Sequence, residues 1–243
     1  MTKQTYEVVS PDQNSHEWLF ERLGTITATD VAVMFQKPRI KSEEFSKTQI
    51  DFINQKAVER VLKTRGIEAL TDYFNAESAK FENNEDIQRG KDHEKYAVMA
   101  YENFTKNIID VVGFCRSVER PYFGCSPDGL IIESGSVIEV KCPRVYNHYY
   151  TVKNKFVRDI YKYQMMAQQL VLNAPYVHFI SFCAEALDGH ELFLMEFQFT
   201  DDDLNSVVEK VEYYNTLIEL EFQKLKNLTP QDLGKVEVLR GDK

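Results

Sequence analysis

Ser126-Pro127-Asp128-Gly129-Leu130-Ile131-Ile132, then Glu133-Ser134-Gly135-Ser136, then Val137-Ile138-Glu139-Val140-Lys141 is the stretch that decides the fold of this chain. Two apolar runs flank a short polar segment containing glycine, the pattern of a β-hairpin. Side chains two apart in a strand share a face, so Glu139 and Lys141 point the same way. The hairpin brings Asp128 beside them, on a side set by a one-residue register. The plain alternative is a surface salt bridge between Glu139 and Lys141. Chemically, two carboxylates offer the hard oxygens that hold Mg²⁺, and the Val140 carbonyl is a further candidate ligand. Lys141 is placed to orient or deprotonate a metal-bound water for in-line attack on phosphorus.

Working outward, the hairpin is preceded by a β-rich Tyr122-Phe123-Gly124-Cys125 and followed by a helix over Ile160–Leu172. Tyr176–Cys183 and Leu192–Phe199 are further strand-like runs. Asp201–Leu225 is a long amphipathic helix with Leu204, Val207, Val208, Val211, Tyr214 and Ile218 on one face. Upstream, His16–Leu23 is a short helix. Thr27-Ala28-Thr29-Asp30 starts another, with Thr27 as N-cap, Asp30 at the third position and Lys37-Pro38-Arg39 as its end. Residues 40–48 are polar and loop-like, and Ile50–Arg65 is a helix closed by Gly66. Asn84–Phe104 is a strong helix with the stripe Ala97, Val98, Tyr101, Phe104. One turn before Val98 lies Glu94, a carboxylate at the inward-leaning edge that needs a partner. Strands mixed with flanking helices predict an α/β protein, a central mixed β-sheet with helices on both sides.

The 243 residues, 43% of them apolar, suffice for a real core and argue against disorder. No apolar run approaches the about 18 residues that span a membrane. Met1–Thr5 lacks the apolar stretch of a signal peptide, so a cytoplasmic protein is expected. Cys115, Cys125, Cys142 and Cys183 form no C-x-x-C pair and are expected as buried free thiols. The same lack of clustering speaks against an iron–sulfur nuclease. A formal charge of −9 argues against a generic nucleic-acid binder. Between Lys141 and Lys162, however, Lys141, Arg144, Lys153, Lys155, Arg158 and Lys162 face a lone acid, Asp159. They form either a solvated basic face or a patch that guides a polyanion to one place.

Ser126-Pro127-Asp128-Gly129-Leu130 followed by Glu139-Val140-Lys141-Cys142-Pro143 resembles the nuclease core of the lambda exonuclease group, the YqaJ-type viral recombinases of the PD-(D/E)xK superfamily. Three more segments resemble that family in the same order. They are Arg22-Leu23-Gly24-Thr25-Ile26-Thr27-Ala28-Thr29-Asp30, Gly90-Lys91-Asp92-His93-Glu94 and Tyr161-Lys162-Tyr163-Gln164-Met165-Met166-Ala167-Gln168. The likeness covers residues 16–200, which implies one nuclease domain over 1–243, with a core of about 16–200 and the C-terminal helix at about 201–226. The fold it implies is the restriction-endonuclease-like PD-(D/E)xK core.

The resemblance also implies roles. Asp128 and Glu139 would hold the catalytic metal, Mg²⁺ or Mn²⁺ in its place, with Glu94 completing a second site. Lys141 would act on the water, and Gln164 would sit beside the active-site strand. Arg22, Thr29 and Ser126 would bind a terminal 5′-phosphate. Thr29 in the first turn of a helix suits an anion and Arg22 can grip a phosphate bidentately, although an ordinary interhelical salt bridge is the alternative for Arg22. Ile87 takes the place of a strand wedge, or of a plain core residue. The acidic stretch Glu68–Asp86 departs from the family pattern.

The activity implied is 5′→3′ digestion of double-stranded DNA ends, leaving 3′ overhangs for a single-strand annealing protein. A ring-shaped homotrimer and a phage or prophage origin in a bacterial host go with it. Two alternatives are an endonuclease on the same core, against which the Arg22–Thr29 element counts, and a non-catalytic DNA-binding module. The latter usually lacks a carboxylate or the lysine, and here all are present.

Overall fold

Alternation along residues 137–141 sends Val137, Glu139 and Lys141 to one face and Ile138 and Val140 to the other, and each face meets its own apolar core. Val137 joins Met165, Val171, Val177 and Phe179. Ile138 and Val140 join Ala97, Tyr101, Ile131, Ile180 and Phe182. A strand buried on both sides is the natural centre of a layered α/β fold.

The computed structural model describes residues 5–10, 13, 15–82 and 85–228, with the backbone alone at residues 10, 78, 80–82, 86 and 87. The N-terminal part runs β1 (Tyr6–Ser10), α1 (His16–Arg22), β2 (Ile26–Thr27), a 3₁₀ turn at Ala28–Asp30, α2 (Val31–Met34) and α3 (Lys47–Lys63). The middle contains α4 (Thr71–Glu82), α5 (Glu85–Thr105), β3 (Ile109–Asp110), β4 (Phe114–Ser117), β5 (Phe123–Cys125), β6 (Gly129–Ile131) and β7 (Val137–Lys141). The chain continues with α6 (Val145–Asn154), α7 (Asp159–Leu172), β8 (Val177–Phe182), β9 (Leu192–Phe197) and α8 (Asp201–Lys226).

The expected hairpin is there: β6 and β7 pair antiparallel with Gly129 opposite Ile138 and Leu130 opposite Val137. The central mixed sheet expected is present, and a second, smaller sheet stands with it. The strands divide into a four-stranded sheet, β1-β4-β5-β2, and a five-stranded sheet, β3-β6-β7-β8-β9. Both are mixed, with β2 parallel to β5 and β7 parallel to β8. The division falls at Ser126-Pro127-Asp128. Proline cannot donate to a ladder, so the chain leaves the first sheet there before entering the second. Helix α7 packs on strands of both sheets, α5 covers the other face of the five-stranded sheet, and α8 lies along α3 and α7.

Other expectations shift for physical reasons. The helix begun at Thr27 is a 3₁₀ turn and a single α turn that ends at Met34, well before Pro38. Asp30 does reach back, accepting from Thr27 N at 2.8 Å and Thr27 Oγ1 at 2.9 Å. Helix α3 starts three residues early because Ser46 caps it, accepting from Gln49 N while Gln49 returns a bond to Ser46 N. The stripe of α5 ends at Tyr101, and Phe104 is 74% exposed because the helix overruns its core by a turn. Asn84, expected at the start of that helix, lies outside the described residues. Cys115, Cys125 and Cys183 are buried free thiols as expected, and Cys142 is half-buried.

Gly124 holds the first sheet tight behind the site. A Cβ there would stand 2.6 Å from the Cys115 carbonyl oxygen and 2.5 Å from the Phe114 ring. Backbone cannot yield as a flexible side chain does, so Gly124→Ala should destabilise the protein by about 1–3 kcal/mol through overpacking. Urea unfolding of parent and variant checks this, and unchanged midpoints would show that β4 and β5 have room to separate.

Candidate active site

The β7 carboxylate is withdrawn entirely from water: Glu139 is 0% exposed. A charge so placed is tolerable only with partners. Its Oε1 meets the Lys141 ammonium. Its Oε2 accepts from Gln164 Nε2 at 3.0 Å and from Gln168 Nε2 at 2.6 Å. Both glutamines come from α7, four residues apart and therefore on one face of the helix. The expected neighbour Gln164 is thus in place. Gln168 is a second support of the same carboxylate, one that the sequence motif does not single out. Its one-turn spacing from Gln164 is the signal that could have found it.

Asp128 precedes β6 and answers the register question. Its Oδ2 accepts from the Val140 backbone N–H at 2.6 Å, so the carboxylate lies against β7. Asp128, Glu94, Val140 and Lys141 line one cavity of about 460 Å³. Burial, then the charges of Glu139 and Glu94, push the Asp128 carboxyl well above the usual carboxylate range. Glu94 is pushed up as well, chiefly by burial, with Lys141 opposing and Glu139 adding to the shift. Burial works against charge on Lys141, but Glu139 and Asp128 outweigh it and hold the ammonium above its ordinary pKa. A lysine so held suits orientation and charge stabilisation better than proton removal. Its ammonium also sits 5.1 Å from the centroid of Tyr161.

The fold brings Arg22 and Ser126 together. Arg22 Nη1 donates to Ser126 Oγ at 3.1 Å, and Trp18 Nε1 donates to the same oxygen at 3.0 Å. The guanidinium lies 4.2 Å from the Trp18 ring centroid. Among the described residues no carboxylate comes within ion-pair distance of it, so the interhelical salt bridge is not formed. Burial lowers the Arg22 pKa, with Asp30 the first opposing charge, yet guanidinium stays charged in proteins. Trp18 is a pocket wall that the sequence did not single out. It lies one helical turn before Arg22 on α1, a spacing that could have flagged it.

Thr29 stands apart from this pair in its bonding: exposed in the 3₁₀ turn, its hydroxyl meets Thr27 Oγ1 at 3.0 Å. So short a helix adds little dipole. The side chain of Ile87 lies outside the described residues, and its backbone belongs to α5.

Basic groups ring the carboxylates. Arg89, Lys91, Arg144 and Arg158 all line the carboxylate cavity. Arg89 is tied to Glu185 by two bonds of 2.6 Å. The expected basic stretch therefore contributes Arg144 and Arg158 to the mouth of the site, while Lys162 pairs with Asp159 at 3.1 Å. Among the described residues no three His, Cys, Asp or Glu side chains form a ready-made metal cage. The donor set still fits a hard divalent cation, because Asp128 and Glu94 are half-buried oxygen donors whose crowded charge such an ion would relieve. Among the described residues no helix is long and apolar enough to cross a membrane.

Mixed sheets flanked by helices, with paired carboxylates and a lysine on adjoining strands, define a PD-(D/E)xK-type fold. The chain belongs to the family of the YqaJ-like viral recombinase domain, whose model matches residues 17–174. Its fold is similar to that of an alkaline exonuclease (LHK-Exo) from Laribacter hongkongensis, with a TM-score of 0.72 at 24% identity over 87% of this chain and 96% of that one. The same enzyme in complex with dAMP gives 0.73 at 25% identity over the same shares of the two chains. A phage-related exonuclease from Haemophilus somnus 129PT gives 0.57 at 13% identity over 83% and 95%. A comparison with curated protein sequences finds no match. Family membership and these relatives support a nuclease role on DNA.

The raised carboxyls have a consequence for stability. A carboxyl whose folded pKa lies above its unfolded one contributes fully below the unfolded pKa, and that contribution is lost as pH rises through the folded value. In EDTA, the parent should therefore lose stability relative to Asp128→Asn as pH rises from about 4 to about 8, starting near the ordinary carboxyl pKa. Urea midpoints of both proteins across that range measure the gap. A gap that stays constant with pH would show that Asp128 carries no such strain.

Proposed function

We propose that this chain is a single nuclease domain, a Mg²⁺-dependent 5′→3′ exonuclease that digests the 5′-phosphorylated strand of duplex DNA ends and leaves 3′ overhangs. The observation that carries the reading is Arg22, a half-buried guanidinium directed at Ser126 beside the carboxylate cavity, with no carboxylate within ion-pair distance among the described residues. A terminal phosphate carries up to one more negative charge than an internal one, and a planar guanidinium can bind it bidentately. Such a group reads an end, which a nuclease acting within a duplex does not need.

Asp128, Glu139, Glu94 and the Val140 carbonyl would hold the metal, with Mn²⁺ able to substitute for Mg²⁺. The ion would supply a water of lowered pKa and charge neutralisation at the phosphate. Lys141, kept charged by its neighbours, orients the nucleophile and stabilises charge developing on phosphorus-bound oxygen. Gln164 and Gln168 fix Glu139 so that the carboxylate does not swing away. Arg22 and Ser126 hold the 5′-phosphate, and the basic rim draws the polyanion toward an otherwise acidic protein. A ring-shaped homotrimer, a single-strand annealing partner, a cytoplasmic setting and a phage-type origin belong to the same reading and rest on the family likeness.

Asp128→Ala and Glu139→Ala should each lower the cleavage rate at least about 100-fold in Mg²⁺ while the circular dichroism spectrum is kept, since hard-oxygen ligation and charge stabilisation are lost together. Near-parental rates in either variant would sink the site assignment.

End recognition is tested on linear duplexes that differ only in a 5′-phosphate or a 5′-hydroxyl. The parent should prefer the phosphate strongly, and Arg22→Ala should erase most of that preference, a loss of about 2–5 kcal/mol for an abandoned charge pair. End-labelling reports the polarity, and a circular plasmid should survive. Equal phosphate-to-hydroxyl ratios in parent and variant, or a cut plasmid, would leave an endonuclease as the better description.

A further inference from the structure

Three charged side chains of α3 turn inward, toward the segment that carries Arg22 at one end and Asp30 at the other. Lys56 and Glu59 are only 8% and 7% exposed, and the Arg60 side chain 14%. Buried charges are tolerable only with partners, and these find theirs in that segment. Glu59 Oε2 accepts from the Gly24 N–H at 3.0 Å, and Arg60 Nε donates to the Gly24 carbonyl oxygen at 3.0 Å. Consecutive residues of α3 thus hold both backbone groups of one glycine, two residues beyond Arg22. Gly24 has φ +69°, and a Cβ on it would stand 2.7 Å from Arg60 Cγ, so no side chain fits between the helix and the turn. Helix α8 braces this clamp from behind: Arg60 Nη1 donates to Glu219 Oε2 at 3.0 Å and Nη2 to Asn215 Oδ1 at 2.6 Å.

Lys56 fastens the other end of the segment. Its ammonium lies 3.3 Å from Asp30 Oδ2 and 3.3 Å from Glu59 Oε2. Asp30 Oδ2 also accepts from the Thr27 N–H and hydroxyl, and Glu59 Oε1 accepts from Gln55 Nε2 at 2.8 Å. Both carboxylates are therefore bonded to groups other than the Arg22 guanidinium. They still act on it at longer range, since Asp30 and, less strongly, Glu59 oppose the effect of burial on its charge. Arg22 and Lys56 on one side and Asp30 and Glu59 on the other leave the surroundings of the guanidinium electrically balanced.

We propose that Lys56 is a specificity-determining residue for the terminal 5′-phosphate, acting through Asp30 and Glu59 rather than on the DNA. By binding both carboxylates it keeps them off Arg22, so the guanidinium fork stays open to an incoming anion. By cancelling one of their two charges it spares that anion a net negative surround. The inference rests on the end-recognition reading of Arg22. A terminal phosphate carries up to one more negative charge than an internal one, so it responds more strongly than the rest of the backbone to a unit of charge placed nearby. A change in this balance should therefore alter the discrimination between phosphate and hydroxyl ends, beyond any change in overall affinity.

The test uses the full chain in Ca²⁺ and two linear duplexes that differ only in a 5′-phosphate or a 5′-hydroxyl. Fluorescence anisotropy gives the two affinities, and their ratio is taken within each protein. Lys56→Met should lower the parent's ratio on the order of tenfold. Glu59→Gln should raise it by a similar factor, because the amide oxygen can still accept from Gly24 while one negative charge is gone. The double variant should return toward the parent. Urea midpoints of the same proteins supply the contrast. Each single variant breaks a buried ion pair, so a merely structural role would lower stability and phosphate preference together in both. Opposite signs in the two ratios are what such a role cannot produce. The inference is overturned if Lys56→Met keeps the parent's ratio or if Glu59→Gln fails to raise it. Should Lys56→Met not fold, Glu59→Gln set against the double variant makes the same comparison, and equal ratios there overturn it. A parent that prefers the phosphate while its variants fail to diverge leaves the Arg22 pocket standing without this role for Lys56. A parent indifferent to the phosphate removes the pocket and the inference with it.

Discussion

Taking a carboxylate out of water costs several kcal/mol unless other groups replace the lost solvation. Glu139 has lost all of its solvent contact, and much of the surrounding architecture supplies the replacement. Lys141 is two residues along the same strand, which the alternation of β7 guarantees. Gln164 and Gln168 have to arrive from a helix, so α7 must cross β7 at one height and one rotation. The apolar residues of α7, Met165, Val171 and Leu172, pack where they do partly because the glutamines between them must reach one oxygen. Core packing and site geometry are here a single constraint.

A half-buried cation answers the buried anion. Arg22 lies against Trp18 and Phe114, and among the described residues no carboxylate stands at ion-pair distance from it. A group of this kind is a standing cost to the fold that an arriving anion would offset. The acid-rich exterior makes the local arrangement more pointed. With a net charge of −9, the protein as a whole repels a polyanion, while Lys91, Arg144 and Arg158 set positive charge at the mouth of the carboxylate cavity. Few phosphates would then be neutralised at once, so the salt dependence of binding would be shallow, with a slope of about −0.9 per phosphate contacted.

The parts of this molecule that were legible in the sequence are those governed by a short period. Glu139 and Lys141 had to share a face, and the hairpin had to bring Asp128 near. The register of Asp128 was not legible, because it turns on a hydrogen bond to the Val140 N–H that no pattern encodes. Gln168 and Trp18 act through contacts between distant elements, and only their one-turn spacing from Gln164 and Arg22 hinted at them. Helix α6 went unread because Val145-Tyr146-Asn147-His148-Tyr149-Tyr150 carries no apolar stripe, only His148 being buried in it. Helix α4 was obscured by the acidic residues around it. Strands β1 and β4 are short and gain their identity by pairing with each other. The central mixed sheet was legible, and the second sheet was not, since the consequence of Pro127 for the ladder is tertiary.

The tripeptide Ser126-Pro127-Asp128 joins those two sheets. Ser126 belongs to the group that meets Arg22, and Asp128 to the group that meets Glu94 and Lys141. Two peptide links cannot place their Cα atoms farther apart than about 7 Å, and the proline stiffens the link further. The interval between the two groups is therefore written into the covalent chain and braced at each end by a sheet. On the proposed reading it would work as a caliper: whatever is gripped at one jaw would present the same length to the other, for every substrate and independent of sequence.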